Sequence, residues 1–189
     1  MVDWAQPVRR GNLSEMRYNF LLAYIVVSDD FNDNRPGDAC VKRGMSVSER
    51  LEQGVTVHLV TNIKQDGETE TFDFTVPGRL ILINGSAYLR YAEEDQGKTT
   101  QVTFKLNGHH DVLLTRSGET GLRLHFLAGK AVKTTYQTAY GPLNIEVATS
   151  GLNAALADDL SSGRINVDYQ LLAGESLLGD YQIRLQFTA

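Results

Sequence analysis

Apolar and polar residues alternate along most of the chain after residue 54, and this pattern predicts β-strands. In the segment 102–106, Val102, Phe104 and Leu106 alternate with polar neighbours. A period of two is expected when one face of a strand is buried and the other is in water. The same period recurs in the segments 55–63, 72–76, 87–91, 112–116, 122–126, 132–138, 143–147, 165–171 and 181–187.

Short turn signals separate these segments. Asp66-Gly67 and Asn84-Gly85 are dipeptides that favour two-residue hairpin turns, because their residues tolerate positive φ. Further glycine-containing turns follow at roughly ten-residue intervals, as in a meander whose consecutive strands pair. Closing such a sheet removes its exposed edges. The sequence therefore predicts an all-β fold, a single antiparallel up-and-down β-barrel of about ten strands with at most one or two short helices.

Three stretches depart from the alternation. Residues 80–83 are apolar on both faces, so we expect them to be covered twice or to lie between two copies, which makes a homodimer a candidate assembly. Pro77-Gly78 is expected to end the preceding strand. Residues 150–163 are expected to form the one long irregular connection, with two helical turns within 153–160.

Residues 1–44 differ from the rest of the chain. They hold the only Trp, the only Cys and one apolar run, 20–27, with no alternation leading into the strands. A secretory signal or anchor is the alternative, but Ser28-Asp29-Asp30 is a poor cleavage site. We expect residues 1–44 to be an extension outside the core, disordered or preceding a true start at Met45. Residues 45–189 are then the β-barrel domain.

The overall composition excludes several classes of protein. Hydrophobic residues make up 42% of the chain and charged residues 22%, as in a soluble globular protein. The net charge of -5 argues against non-specific nucleic-acid binding, which depends on clustered Lys and Arg. A single Cys excludes an intramolecular disulfide and fits a reducing compartment. No run approaches the ~20 apolar residues of a membrane span, so no membrane partner is expected.

Candidate catalytic and metal sites are few. His109 and His110 are adjacent, so on a regular strand they would point to opposite faces and could not hold one ion. Glu93-Glu94-Asp95 lacks the spacing of a calcium-binding loop. The chain has no phosphate-binding loop, no nucleophile elbow and no His-Glu-x-x-His motif. We therefore expect no metal, no cofactor and no catalytic residue; a hydrolase or isomerase is the less favoured alternative.

Polar groups on faces predicted to be buried suggest a binding site instead. Arg116 shares a face with apolar residues, and a buried arginine needs a carboxylate, for which Glu93 is the natural candidate. On the segment 132–138, half of one face is hydroxylic, as in small barrels that hold water or a ligand. We expect a small-molecule site lined by Tyr91, Glu93, Arg116, Tyr136 and Thr138. The alternative is that Arg116 and Glu93 form a structural ion pair that closes a filled barrel, which would favour a structural or self-association role.

The chain also resembles a known family. The resemblance covers about residues 55–187 and rests on the order and spacing of short motifs. These are Tyr88-Leu89-Arg90-Tyr91 with Glu93-Glu94 and Gly97, Leu114-Thr115-Arg116 with Gly118, Phe126 with Gly129, Tyr136-Gln137-Thr138 with Gly141, and Gly163-Arg164-Ile165 with Tyr169. In these the chain resembles the uncharacterised calycin-like, or lipocalin-like, β-barrel proteins of low-GC Gram-positive bacteria, a domain-of-unknown-function group. The resemblance implies a cytoplasmic β-barrel and no particular activity. The Gly-x-Trp signature and disulfide of true lipocalins are absent from the barrel segment, so carrier functions are not transferred.

Overall fold

The computed structural model of the chain describes residues 50–95, 97–118, 121–138 and 141–189. These residues form ten β-strands and no helix. In chain order the strands are β1 (Arg50–Gln65), β2 (Glu68–Ile83), β3 (Ser86–Asp95), β4 (Lys98–Leu106), β5 (Asp111–Ser117), β6 (Leu122–Leu127), β7 (Ala131–Thr138), β8 (Gly141–Leu156), β9 (Ser162–Ala173) and β10 (Ser176–Thr188). The expectation about residues 1–44 lies outside the described residues and stays a prediction.

The strands form one antiparallel sheet that curls into a nearly closed barrel. Its order is β6-β5-β4-β3-β2-β1-β10-β9-β8-β7, so each strand pairs with the next along the chain except at the step from β6 to β7. β1 and β10, the first and last strands along the chain, also pair, from Thr56 opposite Thr188 to Lys64 opposite Asp180. The predicted all-β, antiparallel up-and-down barrel of about ten strands is thus confirmed.

The hairpin turns follow the predicted chemistry. Asp66 and Gly67 adopt φ values of 49° and 83°, and Asn84 and Gly85 adopt 50° and 76°. Two consecutive residues with positive φ give a turn whose twist matches the twist of the strands that it joins. These two turns therefore fix the registers of β1 with β2 and of β2 with β3.

Between β6 and β7 the barrel is closed by contacts other than a strand ladder. The hydroxyl of Thr134 on β7 donates to the carbonyl of Arg123 on β6 at 2.9 Å. The turn that joins β6 to β7 is bonded to β8. The amide of Thr149 donates to the carbonyl of Lys130 at 2.9 Å, and the amide of Gly129 donates to the carbonyl of Thr149 at 3.0 Å. The seam of the barrel is therefore bridged at separate points.

Alternate residues of the strands point inward and form one apolar core. The alternation within the strand segments predicts ten apolar residues on the inner face, and of these only Leu122 is not fully buried; it is half-buried and packs against the core. The nine buried residues are Val102, Phe104, Leu124, Phe126, Ile145, Val147, Val167, Ile183 and Leu185. Most of the barrel interior is thus occupied by large apolar side chains.

Two local predictions were wrong. Pro77-Gly78 does not end a strand: both residues lie inside β2, paired with Thr56 and Val55 of β1. Pairing of β2 with β3 begins only at Gly78, so no strand lies beside Pro77 on that side to require its missing N–H. Residues 153–156 are not helical either, because they extend β8 and pair with β9, where Ala154 lies opposite Ile165. The inward-facing residues of this segment are buried in the core, and that burial outweighs the local preference for a helix.

Candidate functional site

Two charged side chains, Glu93 and Arg116, enter the barrel interior near one end. Glu93 lies near the end of β3 and Arg116 near the end of β5, with β4 between them. The pairing registers place Tyr91, Val102 and Arg116 directly opposite one another across these three strands. Glu93 lies two residues beyond Tyr91 on the same face, so Arg116 reaches it diagonally. We call the part of the interior formed by Tyr91, Glu93 and Arg116 the polar end of the barrel.

The two side chains form the ion pair that the sequence predicts. The Arg116 Nη2 and Nη1 atoms donate to Glu93 Oε2 and Oε1 at 2.5 Å and 3.3 Å. The exposed fractions of the side chains are 19% for Arg116 and 8% for Glu93. Burial raises the pKa of Glu93 above its usual range, and the Arg116 charge and hydrogen bonds oppose this without cancelling it. The pair therefore carries a real desolvation cost.

Tyr91 links this pair to the aromatic part of the core. Its hydroxyl hydrogen-bonds to the Glu93 carboxylate. Its ring centroid lies 6.4 Å from that of Phe74 and 6.5 Å from that of Phe104. Next to Tyr91 the ladder between β2 and β3 ends, because the two strands pair only from Gly78 opposite Tyr91 to the hairpin turn, and the earlier residues of β2 have no partner on β3.

A stacked tyrosine pair, which the sequence reasoning missed, extends the polar end. The rings of Tyr169 and Tyr181 are 5.1 Å apart, and Phe126 packs 4.8 Å from Tyr169. Gln65 Nε2 donates to the Tyr181 hydroxyl at 2.5 Å. Burial raises the pKa of both tyrosines, so both hydroxyls stay protonated. The nearby charge of Arg116 acts in the opposite direction on the pKa of Tyr169, but the effect of burial is larger. Both side chains are neutral donors and acceptors.

Thr149 contributes a further hydroxyl to the interior. It lies on β8 directly opposite Tyr169, and its exposed fraction is 3%. Its Oγ1 atom has no hydrogen-bond partner among the described residues. A buried polar atom without a partner costs about 1–3 kcal/mol.

The structure brings together most of the predicted site residues. Tyr91, Glu93 and Arg116 are in contact. Tyr136 is buried near the end of β7, on the same end of the barrel and across the seam. The backbone of Thr138 lies opposite Gly141 at the end of β7, and its side chain lies outside the described residues. The missed members Tyr169, Tyr181 and Thr149 share one signal, a polar side chain at an inward position of an alternating strand.

The histidines belong to the opposite end. His109 and His110 lie in the turn between β4 and β5, not on a strand, and their Nδ1 atoms donate to the carbonyls of Ala154 and Leu152 at 2.7 Å and 3.3 Å. A carbonyl only accepts, so Nδ1 carries the proton in each ring. The two side chains thus cover the edge of β8. Within the described ranges, no three His, Cys, Asp or Glu side chains come together as metal ligands.

No helix of the described part of the chain is long and apolar enough to cross a membrane.

The chain is 29% identical over 127 residues to a Bacillus subtilis (strain 168) protein named Uncharacterized beta-barrel protein YwiB, covering 67% of this chain and 87% of that protein. The crystal structure of the ywiB protein from Bacillus subtilis superposes with a TM-score of 0.64 at 23% identity, covering 73% of this chain and 92% of that chain, which supports the fold. The family described as Domain of unknown function (DUF1934) matches residues 57–185. That match covers more than half of the sequence, and the chain therefore belongs to the DUF1934 family of β-barrel proteins.

Proposed function

We propose that this protein is a non-enzymatic binding module that holds a small molecule with an anionic group at the polar end of its barrel. The site is built from Tyr91, Glu93 and Arg116, with Tyr136 and Thr138 across the seam. Tyr169, Tyr181 and Thr149 join it as hydroxyl groups of the interior. We likewise propose that it is a cytoplasmic protein with a calycin-like, or lipocalin-like, barrel.

The observation that carries this proposal is the buried ion pair. Apolar residues of similar volume in place of a buried ion pair are often as stable or more stable, so Glu93 and Arg116 are not needed merely to fill the barrel. Ligand sites combine a mostly apolar lining with a few polar groups that fix orientation. The polar end has this composition, whereas the rest of the interior is apolar.

The chemistry of each group fits an anionic ligand. The guanidinium of Arg116 is planar and always charged, and its N–H fork matches a carboxylate or a phosphate. Glu93 would have to release Arg116, and its raised pKa favours the neutral acid once the ligand supplies the negative charge. The hydroxyl of Thr149, which has no hydrogen-bond partner within the described part of the chain, offers a further hydrogen bond. We place the entrance for the ligand beside Tyr91, where the ladder between β2 and β3 ends.

A second candidate is a structural barrel without a ligand, in which Arg116 and Glu93 close one end. The close-packed apolar core favours it, because most inward positions are filled by protein side chains. In that case the ion pair would contribute to the choice of fold and not to binding. The two candidates differ in what happens when both charges are removed together.

Thermal unfolding with a panel of small carboxylates and phosphate esters tests the proposal. A ligand at one hundred times its Kd stabilises the folded state by about 2.7 kcal/mol. We expect at least one compound to raise the Tm of the full chain, and the double variant Arg116→Met/Glu93→Gln to fold without responding. Arg184→Met is the matched control, since Arg184 pairs with Asp168 at 2.6 Å on the outer wall. A response that survives in the double variant, or no response to any compound, would contradict the proposal.

A further inference from the structure

The outer wall of β2 to β6 gathers basic side chains that are far apart in the sequence. The registers place Arg79 opposite Arg90, Arg90 opposite Thr103, Thr103 opposite Thr115, and Thr115 opposite Arg123. These five residues form one row across five adjacent strands. All three arginines are exposed.

The neighbouring row adds an aromatic ring and two more basic groups. Ile81, Tyr88, Lys105, Leu113 and His125 lie directly opposite one another on the same five strands; Ile81 is buried, with 3% of its surface exposed, so the accessible part of this row runs from Tyr88 to His125. The Tyr88 ring centroid lies 5.7 Å from the Lys105 ammonium and 6.0 Å from the Arg90 guanidinium. We call the two rows together the outer strip.

The outer strip contains no carboxylate, although the chain as a whole has a net charge of -5. The flanking acids are Glu52, which contacts Arg79 at 3.3 Å, and Asp111, which contacts His125 at 2.9 Å. The net charge of the whole chain argues against binding of nucleic acid over its entire surface. It does not describe the two rows of the outer strip, although Asp73, Glu94 and Asp111 lie farther along the outer face of β2, β3 and β5.

Two arginines of the outer strip lie directly opposite each other, and the Glu52 contact with Arg79 offsets part of their repulsion. Like charges directly opposite on adjacent strands have Cβ atoms about 4.5–5.5 Å apart and repel each other. Arg79 and Arg90 are such a pair. An anion bound between them would relieve the repulsion. Arginine forks and threonine hydroxyls are common donors to phosphate oxygens.

We propose that the outer strip binds single-stranded nucleic acid. Five strands span about 19 Å at the usual strand spacing, so the occupant carries several phosphates and not one. A sheet face on which an aromatic ring stands among Arg and Lys binds single strands by phosphate contacts and base stacking. A bound peptide strand would need a free strand edge, whereas β3, β4 and β5 are paired on both sides. Phosphates contact Arg79, Arg90, Lys105 and Arg123, and one base stacks at Tyr88.

Fluorescence anisotropy of labelled oligouridylate and oligothymidylate with the full chain tests this inference. For single strands, log K falls with log salt with a slope of about −0.7 for each neutralised phosphate, so four cations predict about −2.8. Affinity should then fall about 50-fold between 50 and 200 mM salt. Arg90→Gln should weaken the slope by about 0.7, and Tyr88→Leu should lower affinity about five-fold or more with the slope unchanged. Both oligonucleotides binding alike, or the RNA binding better, would each support the inference.

Arg164→Gln is the matched control, because Arg164 is exposed on β9, on another part of the wall. It should leave affinity and slope unchanged. The same loss for Arg164→Gln and Arg90→Gln would overturn the inference, as would no anisotropy change at 50 mM salt. Binding of polyglutamate or of anionic vesicles, with the oligonucleotides failing to bind, would overturn it too. Because the outer strip lies on the opposite side of the wall from the polar end, neither outcome bears on the proposed small-molecule site.

Discussion

Removal of Arg116 alone should destabilise the protein far more than removal of both Arg116 and Glu93. The side chain of Glu93 is only 8% exposed, so Arg116→Met would leave a carboxylate buried beside Tyr91 with its main partner gone. Breaking a buried ion pair in this way costs about 3–5 kcal/mol, whereas replacement of both charges is often neutral. We therefore expect a large loss for Arg116→Met and a loss below about 1 kcal/mol for Arg116→Met/Glu93→Gln.

The pH dependence gives this prediction a second readout. Burial raises the pKa of Glu93 in the folded state above the ordinary value of 4.5. The folded protein thus holds the Glu93 proton more tightly than the unfolded chain, so its stability falls as pH rises from about 4.5 through the raised pKa. Glu93→Gln should remove that decline. In Arg116→Met the pKa should rise further, so its destabilisation should shrink in acid.

Urea unfolding at several pH values measures these effects, since the midpoint shift at constant slope gives the change in unfolding free energy. Arg184→Met is the control: Arg184 and Asp168 are 38% and 37% exposed, and such surface pairs contribute about 0–1 kcal/mol. If Arg116→Met costs no more than Arg184→Met, or if its cost does not change with pH, the account of a desolvated pair at the polar end is wrong.

Three further predictions concern the fold. Phe126→Ala should cost about 3–5 kcal/mol, because the ring is fully buried, and a near-neutral urea midpoint would mean that the inward face is misassigned. Gly163→Ala should cost about 1–3 kcal/mol, since an added Cβ would clash with the Phe187 ring. Gly54→Ala is the control and should be tolerated, because an added Cβ there meets nothing within 4 Å. Equal urea midpoints for the two variants would rule out the clash at Gly163. A chain that begins at Met45 should melt within about one degree of the full chain, and a loss of several kcal/mol would show that residues 1–44 pack on the barrel.

The sequence allowed the fold to be predicted because the barrel is built from local signals. Alternation identified the inward residues, and Asp66-Gly67 and Asn84-Gly85 identified two of the hairpins. The errors lie where pairing overrides local preference. Residues 153–156 join β8 because β9 pairs with them, and Pro77 is accommodated because β3 does not reach it.

The polar end was predictable only in part, for a physical reason. Arg116 stood out because it alternates with apolar residues and cannot lose its charge, and the need for a carboxylate then pointed to Glu93. Tyr169, Tyr181 and Thr149 gave no comparable signal, since tyrosine and threonine are common in strands. The outer strip could not be seen at all, because Arg79 and Arg123 meet on one row only through four strand registers.

Native mass spectrometry of the full chain, purified from its own host without denaturation, tests the central claim most directly. We predict a peak above the polypeptide mass from one small bound molecule, present in the wild type and in Arg184→Met and missing from Arg116→Met/Glu93→Gln. A wild-type spectrum with only the bare polypeptide, or an adduct that persists in the double variant, would contradict a ligand site at Arg116 and Glu93.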